Sequence, residues 1–472
     1  MKKLAILWIW AALLLGGCDD FLTSRDKSTV LENKLFTNRE GVEDALYGIY
    51  AGLAQSTVYG VDVPFWMDFL AQFYIPANAS LNSMLEYEHD REECRRVYNS
   101  IWQGMYHSIS DINNFLSNLD AYEGERLRFE DLYRGEALGL RAYLHFDLLR
   151  MFAPVKLSER GIPYVKHFGP DVTSFFTVKE CYDLIIQDLL DAEKLLREDE
   201  TLLTWPRVRS HEFIICRNRE VHFNWYAVQA TLARVYYMRG EPGDLEKAGE
   251  YARALIESEK FPLVREVKDV TYMMAGVIAE TEAIWGLSTK TLYDKLYPRY
   301  IGRGMDSYDP TASQIGLYAS VAGEMDARRD WFGNTVATGD YTRTLKLLDP
   351  VDLANSSTPP AGLEGINQIR IAEMYLIAAE AALAANPTAA QGYLDDLVIS
   401  RGLSKFPGTL TLENIDKEWR KELVCEGQVW FQMKHRYPQT VISAYGQELT
   451  MSENMWQLLI PDDEFDFRED LN

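Results

Sequence analysis

Aromatic rings interleaved with side-chain amides mark two stretches of this chain as candidate ligand surfaces. The first runs from Phe65-Trp66 to Tyr74 and on to Asn78 and Asn82; the second carries Tyr293, Tyr297, Tyr300 and Tyr308. Neither shows a sustained helical or alternating apolar period. Exposed rings stack on the apolar faces of sugars while amides hydrogen-bond the hydroxyls, so this mixture suits an uncharged, ring-shaped ligand. The competing expectation for each ring is packing of the loop on the core, where most large aromatics go. Bond-breaking chemistry is not marked in the same way. His211-Glu212 has no second histidine four residues after the first, so a metalloprotease helix is excluded. His89, Asp90, Glu93 and Cys94 read as a solvated charged face rather than a ligand set. Gly302-Arg303-Gly304 lacks a third glycine, and no Gly-x-Ser-x-Gly elbow or phosphate-cradling loop is present. Paired carboxylates for glycoside hydrolysis carry no local motif, which keeps a surface glycosidase as the minor alternative. The expectation is a binding protein and not an enzyme, with no cofactor and no metal.

The balance of charge narrows the partners. The 472 residues carry a formal net charge of -23, which repels nucleic acid phosphates and anionic headgroups alike. At 47% hydrophobic content the chain has ample material for a core, and 11 Trp, 27 Tyr and 20 Phe leave aromatics to spare for a ligand. Met1-Lys2-Lys3 followed by the apolar run Leu4 to Leu15 has the length of a signal h-region and is too short to span a bilayer. It ends in Leu15-Gly16-Gly17-Cys18, which resembles the lipobox of bacterial lipoproteins. That resemblance implies a signal peptide over 1–17, cleavage before Cys18, and acylation of its thiol, so that lipid alone anchors the chain. Asp19-Asp20 resemble the surface-export signal of Bacteroidetes lipoproteins. Cys94, Cys181, Cys216 and Cys425 are too widely spaced for a metal knuckle and are expected as buried free thiols.

The elements that would hold the loops are helices. Residues 18–35 read as a polar tether, and Thr37 with Glu40 as a capping box ahead of Val42, Leu46, Ile49 and Leu53. The stretch from Trp66 to Tyr74 reads as loop-rich, and a helix resumes over about 95–119. From Arg134 to Arg150, Ala137, Leu140, Leu144, Leu148 and Met151 form one apolar stripe and Leu138, Ala142, Phe146 and Leu149 a second. A helix with two stripes is clamped between neighbours, and Pro154 ends it. Thr177 with Glu180 opens another helix, striped by Cys181, Ile185, Leu189, Ala192 and Leu196. Asn224–Glu257 and 370–401 each read as a helix pair with small residues at the contact, similar to the tetratricopeptide pattern. Between the pairs, residues 260–365 lose regular period, which predicts a long irregular excursion that faces ligand.

Taken in order, several motifs resemble the signature of the SusD/RagB outer-membrane lipoproteins. They are Arg134-Gly135-Glu136-Ala137 with Arg141-Ala142-Tyr143 and Phe146-Asp147-Leu148; Leu232-Ala233-Arg234-Val235-Tyr236 with Lys247-Ala248; Arg370, Glu373, Tyr375 and Glu380 with Arg401-Gly402; and Glu422, Glu426-Gly427, Trp430-Phe431 and Leu459-Ile460-Pro461. The chain departs from the family habit at Met151-Phe152-Ala153-Pro154 and at Gln432-Met433. The resemblance implies a mainly α fold for 18–472, with tetratricopeptide-like helix pairs forming a helical-repeat scaffold that carries long irregular ligand-binding loops. It further implies a cell-surface lipoprotein of the outer membrane that captures a glycan or oligosaccharide and delivers it to a SusC-like TonB-dependent transporter. A peptide or another nutrient is the alternative cargo. Because the motif helices serve the scaffold, ligand contacts are expected from the loops.

Overall fold

The computed structural model describes residues 35–264, 270, 277–290, 292–300, 308–319, 323–334, 342–346 and 363–466. The signal peptide, Cys18 and nearly all of the tether lie outside the described residues. Among the described residues, twelve helices and eleven short strands suffice to follow the chain; of the strands, β2 (Arg160–Pro163) pairs with β3 (Phe175–Thr177) and β7 (Phe332–Asn334) with β8 (Thr342–Thr344). Helix α1 (Arg39–Leu53) buries Val42, Leu46, Ile49 and Leu53, as their spacing requires. Its cap is Asn38 rather than Thr37: the Asn38 backbone is extended, and its Oδ1 accepts from the Gly41 N–H at 2.9 Å. The stretch read as loop-rich holds helix α2 (Asp62–Leu70), which buries apolar side chains on nearly every face and therefore shows no single stripe.

Helices α3 (Glu92–Asp120), α4 (Glu130–Phe152) and α5 (Val178–Leu195) follow, with α5 opened by the Thr177–Glu180 capping box. The pairs are α6 (Trp225–Arg239) with α7 (Asp244–Glu257), and α9 (Ile371–Leu383) with α10 (Pro387–Ser400); α8 (Leu292–Tyr300) lies in the excursion. Each helix packs on the next: α1 on α3, α3 on α4, α4 on α5, α5 on α6, α6 on α7, α7 on α9 and α9 on α10. Two pairs separated by more than a hundred residues thus become neighbours through α7 and α9. Gly249 makes that contact possible, because a Cβ there would stand 2.5 Å from the Ala381 Cβ. Cys94, Cys181, Cys216 and Cys425 are all buried free thiols.

Helix α4 is buried beyond its two stripes. Arg141, His145, Tyr143 and Arg150, in the gaps between them, are buried as well, and each is matched by a partner. Arg141 Nε donates to Asp188 at 2.7 Å. His145 accepts the Val165 N–H on Nε2 and donates from Nδ1 to the Arg141 carbonyl, and burial drives its pKa down to about 3, so the ring is neutral. Arg150 pairs with Asp147, which also accepts from Tyr59 at 2.7 Å.

In its described residues the 260–365 excursion is more regular than its sequence. Strand β9 (Leu363–Arg370) runs antiparallel to both β4 (Val277–Ile278) and β5 (Ala283–Ser288), with Ala283 opposite Arg370 and Leu287 opposite Ile366. Bulges in β5 break the period-two pattern that would have revealed it. A charge cluster then ties the excursion to helix α11 (Leu412–Glu422) and to the turn leading into α12 (Val429–Arg436). Arg370 and Arg401 each contact Glu282 and Glu422; Arg370 and Lys346 share Glu426; Arg328 joins Asp326, Glu418 and Glu422. Lys421 adds a fifth cation, at 2.8 Å from Glu418. Burial alone would raise the Glu422 carboxyl, but Arg401 and Arg370 outweigh it and hold the pKa well below the usual carboxylate range. The turn after Glu426 requires glycine: Gly427 has φ +67°, its Cβ would meet the Pro64 Cα at 2.6 Å, and its N–H donates to Asp68 at 3.0 Å.

A second lock joins α4 to the loop before α6. Glu136 pairs with Arg219 and His222 and accepts from Tyr50 at 2.6 Å. Burial raises its carboxyl, yet the His222 and Arg219 charges prevail and set the pKa at about 2. Glu136→Gln leaves Arg219 short of an anion, and urea unfolding at pH 7 is expected to read a loss of about 3–5 kcal/mol. The folded pKa lies below the unfolded value of 4.5, so the Glu136 contribution is complete above that pH and is lost as pH falls toward 2. The variant should therefore lose stability less steeply over that window; an unchanged acid slope would contradict the assignment.

Candidate functional site

Pairing of two remote strands brings the two aromatic stretches together. Strand β1 (Tyr74–Pro76) runs antiparallel to β6 (Tyr308–Pro310), with Tyr74 opposite Pro310 and Pro76 opposite Tyr308. The rings meet inside this junction. Phe65 lies 4.6 Å from Tyr308, 4.9 Å from Trp66 and 5.6 Å from Tyr300, and Tyr74 lies 5.6 Å from Tyr300, all edge to face. Trp66 is 6% exposed, Tyr74 0%, Tyr300 1% and Tyr308 4%. These four rings, expected as stacking surfaces, have no free face to offer and belong to the hydrophobic core instead. The Arg299 guanidinium covers Phe65 at 4.6 Å and pairs with Asp62 at 2.9 Å, sealing the outer side. Tyr293 and Tyr297 fall on α8, and their side chains lie outside the described residues.

The amides behave differently. Beyond β1 the chain forms a 3-10 turn (Ala79–Leu81) and a single helical turn (Asn82–Leu85) on the surface. Asn78 Oδ1 caps the first, accepting from the Ser80 N–H at 3.1 Å and the Ser80 hydroxyl at 2.9 Å. Asn82 Oδ1 accepts from the Tyr445 hydroxyl at 2.8 Å, which leaves its Nδ2 donors without a partner among the described residues. Tyr445 is 50% exposed, and the sequence reading missed it. It stands at the tip of the hairpin formed by β10 (Thr440–Ile442) and β11 (Glu448–Thr450), beside Gly446 at φ +77°. An aromatic beside the glycine of a short turn was the signal available for it.

The tip is fixed rather than free. Ser443 and Gln447 pair across the turn at 2.7 Å. Buried Gln72 then bridges the two segments, accepting from the Ala444 N–H at 2.9 Å and donating to the Leu85 carbonyl at 3.0 Å. The product is a rigid face with one exposed phenol ring, one amide with free donors and the Ser80 hydroxyl at its rim. Such a face can stack on a ring and bond hydroxyls; it holds no activated nucleophile. His211 and His89 lie elsewhere in structural roles. His211 Nδ1 accepts from the Phe213 N–H. His89 and Cys94 are buried rather than on a solvated face; His89 bonds Tyr98 at 2.6 Å and the Met455 carbonyl at 3.1 Å, and burial lowers its pKa to about 4.

Comparisons with known proteins place this geometry in context. The family described as starch-binding and associating with the outer membrane, SusD-like, matches residues 20–237, and the SusD family matches residues 328–457. A SusD superfamily protein from Bacteroides thetaiotaomicron VPI-5482 is similar in structure with a TM-score of 0.71 at 20% identity, covering 90% of this chain and 97% of its own. Another from Bacteroides vulgatus ATCC 8482 has a TM-score of 0.70 at 22% identity, covering 90% and 96%. A laminarin-binding SusD-like protein has a TM-score of 0.65 at 16% identity, covering 85% and 92%. No curated protein matches the sequence.

The division between buried and exposed aromatics is directly testable. Trp66→Ala is expected to cost about 3–5 kcal/mol, because it leaves a cavity in the core. Tyr445→Ala should stay within about 1 kcal/mol, because it removes a half-exposed ring and one surface hydrogen bond. Thermal or urea unfolding of the two variants side by side checks the ordering, and equal losses would refute it.

Proposed function

Because the chain belongs to the SusD/RagB family, we propose that it is a cell-surface lipoprotein that captures an oligosaccharide on the Asn78–Asn82–Tyr445 face and hands it to a SusC-like TonB-dependent transporter in the outer membrane. The observation that carries this reading is the exposed Tyr445 ring locked to the Asn82 amide. An exposed ring offers an apolar platform to a sugar, and the flanking amide donors meet its hydroxyls, so the face suits an uncharged glycan better than a peptide. The laminarin-binding relative supports a glycan as the class of cargo. Binding without turnover is the role, since sugar capture needs only this platform and its donors.

Attachment follows from the N-terminal sequence. Cys18, lipidated after removal of residues 1–17, anchors the protein through acyl chains, and residues 18–35 tether the fold above the membrane. No described helix is long and apolar enough to cross a membrane. Cys18→Ala should move the protein from the outer-membrane fraction to a soluble one without altering glycan binding by the folded domain.

The face itself is tested by a glycan array followed by titration calorimetry. Tyr445→Ala and Asn82→Ala are each expected to weaken the selected oligosaccharide about threefold to thirtyfold, the equivalent of one stacking contact or one hydrogen bond. Unaltered affinity in both variants, with unchanged melting temperatures, would sink this assignment of the site.

A further inference from the structure

Helix α2 ends at a position where glycine is the common residue and this chain has glutamine. The Gln72 N–H donates to the Phe69 carbonyl at 3.0 Å and the Phe73 N–H to the Asp68 carbonyl at 3.3 Å, the paired bonds of a Schellman stop. Such a stop turns on one left-handed residue, and Gln72 takes that place at φ +65°. Any residue with a Cβ is disfavoured there relative to glycine. Gln72 is also 2% exposed, so its amide is withdrawn from water. Both features run against local preference, and such departures gather where a fixed geometry is put to use.

The reach of the side chain shows what the departure achieves. Glycine would satisfy the turn but make neither of the bonds that Gln72 makes to the Ala444 N–H and the Leu85 carbonyl. Ala444 precedes Tyr445, and Leu85 closes the helical turn that Asn82 opens, so one amide sets the separation of the exposed ring from the Asn82 donors. The turn is clamped in its own right. Arg420, on α11, donates from Nη1 to the Ala71 carbonyl at 2.8 Å and from Nη2 to the Gln72 carbonyl at 3.3 Å. Its guanidinium lies 4.2 Å from the centre of the Phe73 ring, and the Tyr87 hydroxyl donates to the Leu70 carbonyl at 2.8 Å. Three consecutive carbonyls are thus held by side chains from outside α2. Arg420 forms no ion pair with any described residue, although Lys421 and Glu422 beside it belong to the charge cluster. A planar fork of donors can span two neighbouring carbonyls, which the single ammonium of a lysine does poorly.

We propose that Arg420 and Gln72 are positioning residues for glycan capture: Arg420 holds the left-handed turn, and from that turn the Gln72 amide fixes the spacing between Tyr445 and Asn82. The inference rests on the glycan reading of that face. It adds that the face is built before the ligand arrives, so that binding does not have to order the hairpin tip.

Three variants separate positioning from stability. Gln72→Met keeps the side-chain volume and loses both bonds, Gln72→Gly loses both bonds but removes the left-handed penalty, and Arg420→Lys keeps the charge and loses the fork. Glu136→Gln, which weakens the fold away from the face, is the control. Amide exchange over 443–447 is followed without ligand, and affinity is measured by calorimetry with the oligosaccharide that the array selects, at a temperature where every variant is folded. Exchange at the tip should quicken and affinity fall about threefold to tenfold in all three variants, while Glu136→Gln changes neither. Gln72→Gly should melt above Gln72→Met, because glycine accepts the turn without strain. Unchanged tip exchange in Gln72→Met and Arg420→Lys would overturn the proposal, as would an equal loss of affinity in Glu136→Gln. If Tyr445→Ala and Asn82→Ala weaken binding while Gln72→Met and Arg420→Lys do not, positioning is overturned and the face stands. If tip exchange quickens as expected but none of these four variants weakens binding, the glycan reading of the face is what fails, and glycan positioning falls with it.

Discussion

Five cations and five carboxylates, most of them removed from water, hold the two halves of this fold together. Burying one such charge costs several kcal/mol, and the cost is offset only where each guanidinium finds its carboxylates with good geometry. The cluster meets that condition by drawing its members from far apart. Glu282, Asp326, Arg328 and Lys346 come from the excursion, Arg370 and Arg401 from the flanks of the α9/α10 pair, and Glu418, Glu422 and Glu426 from the C-terminal region. Pairing these charges constrains how the segments can be arranged. The excursion can therefore lack a continuous apolar period and still be docked.

The same principle recurs along the helical array. Glu136 with Arg219, Arg141 with Asp188, Arg234 with Glu373, and Arg436 with Glu380 each join elements remote in sequence. Most of the charged residues in the family signature take part in these locks or in the buried cluster. They are recognisable because their loss strands a buried partner, and they are unavailable to a ligand for the same reason. The proposed ligand face lies on the surface that the locks position: the 77–86 turn and the β10–β11 tip, bridged by Gln72.

Helices with a strong local signature were legible from residues alone. The Thr177–Glu180 box, the clamp around α4 and its stop before Pro154, and the α6/α7 turn at Gly240–Gly243 all follow from spacing and capping chemistry. Long-range pairing was not. The sheet of β4, β9 and β5 joins segments some eighty residues apart across bulges, and nothing local in Leu363–Arg370 names its partners. The aromatic loops failed for a related reason: whether Trp66 or Tyr300 faces solvent depends on Phe65 and Tyr308, which meet only after β1 finds β6. Asn82, expected among the ligand contacts, is half-buried and accepts from the Tyr445 hydroxyl, a partner 363 residues away that no local pattern names.

On the proposed function, glycan is held by the face Gln72 assembles and not by the buried aromatic cluster. Hydrogen–deuterium exchange with and without the oligosaccharide selected by the array tests it most directly. Added protection is expected over residues 77–86 and 443–447, with α2 and β6 unchanged. Protection confined to other segments, with both of these loops exchanging as before, would contradict it.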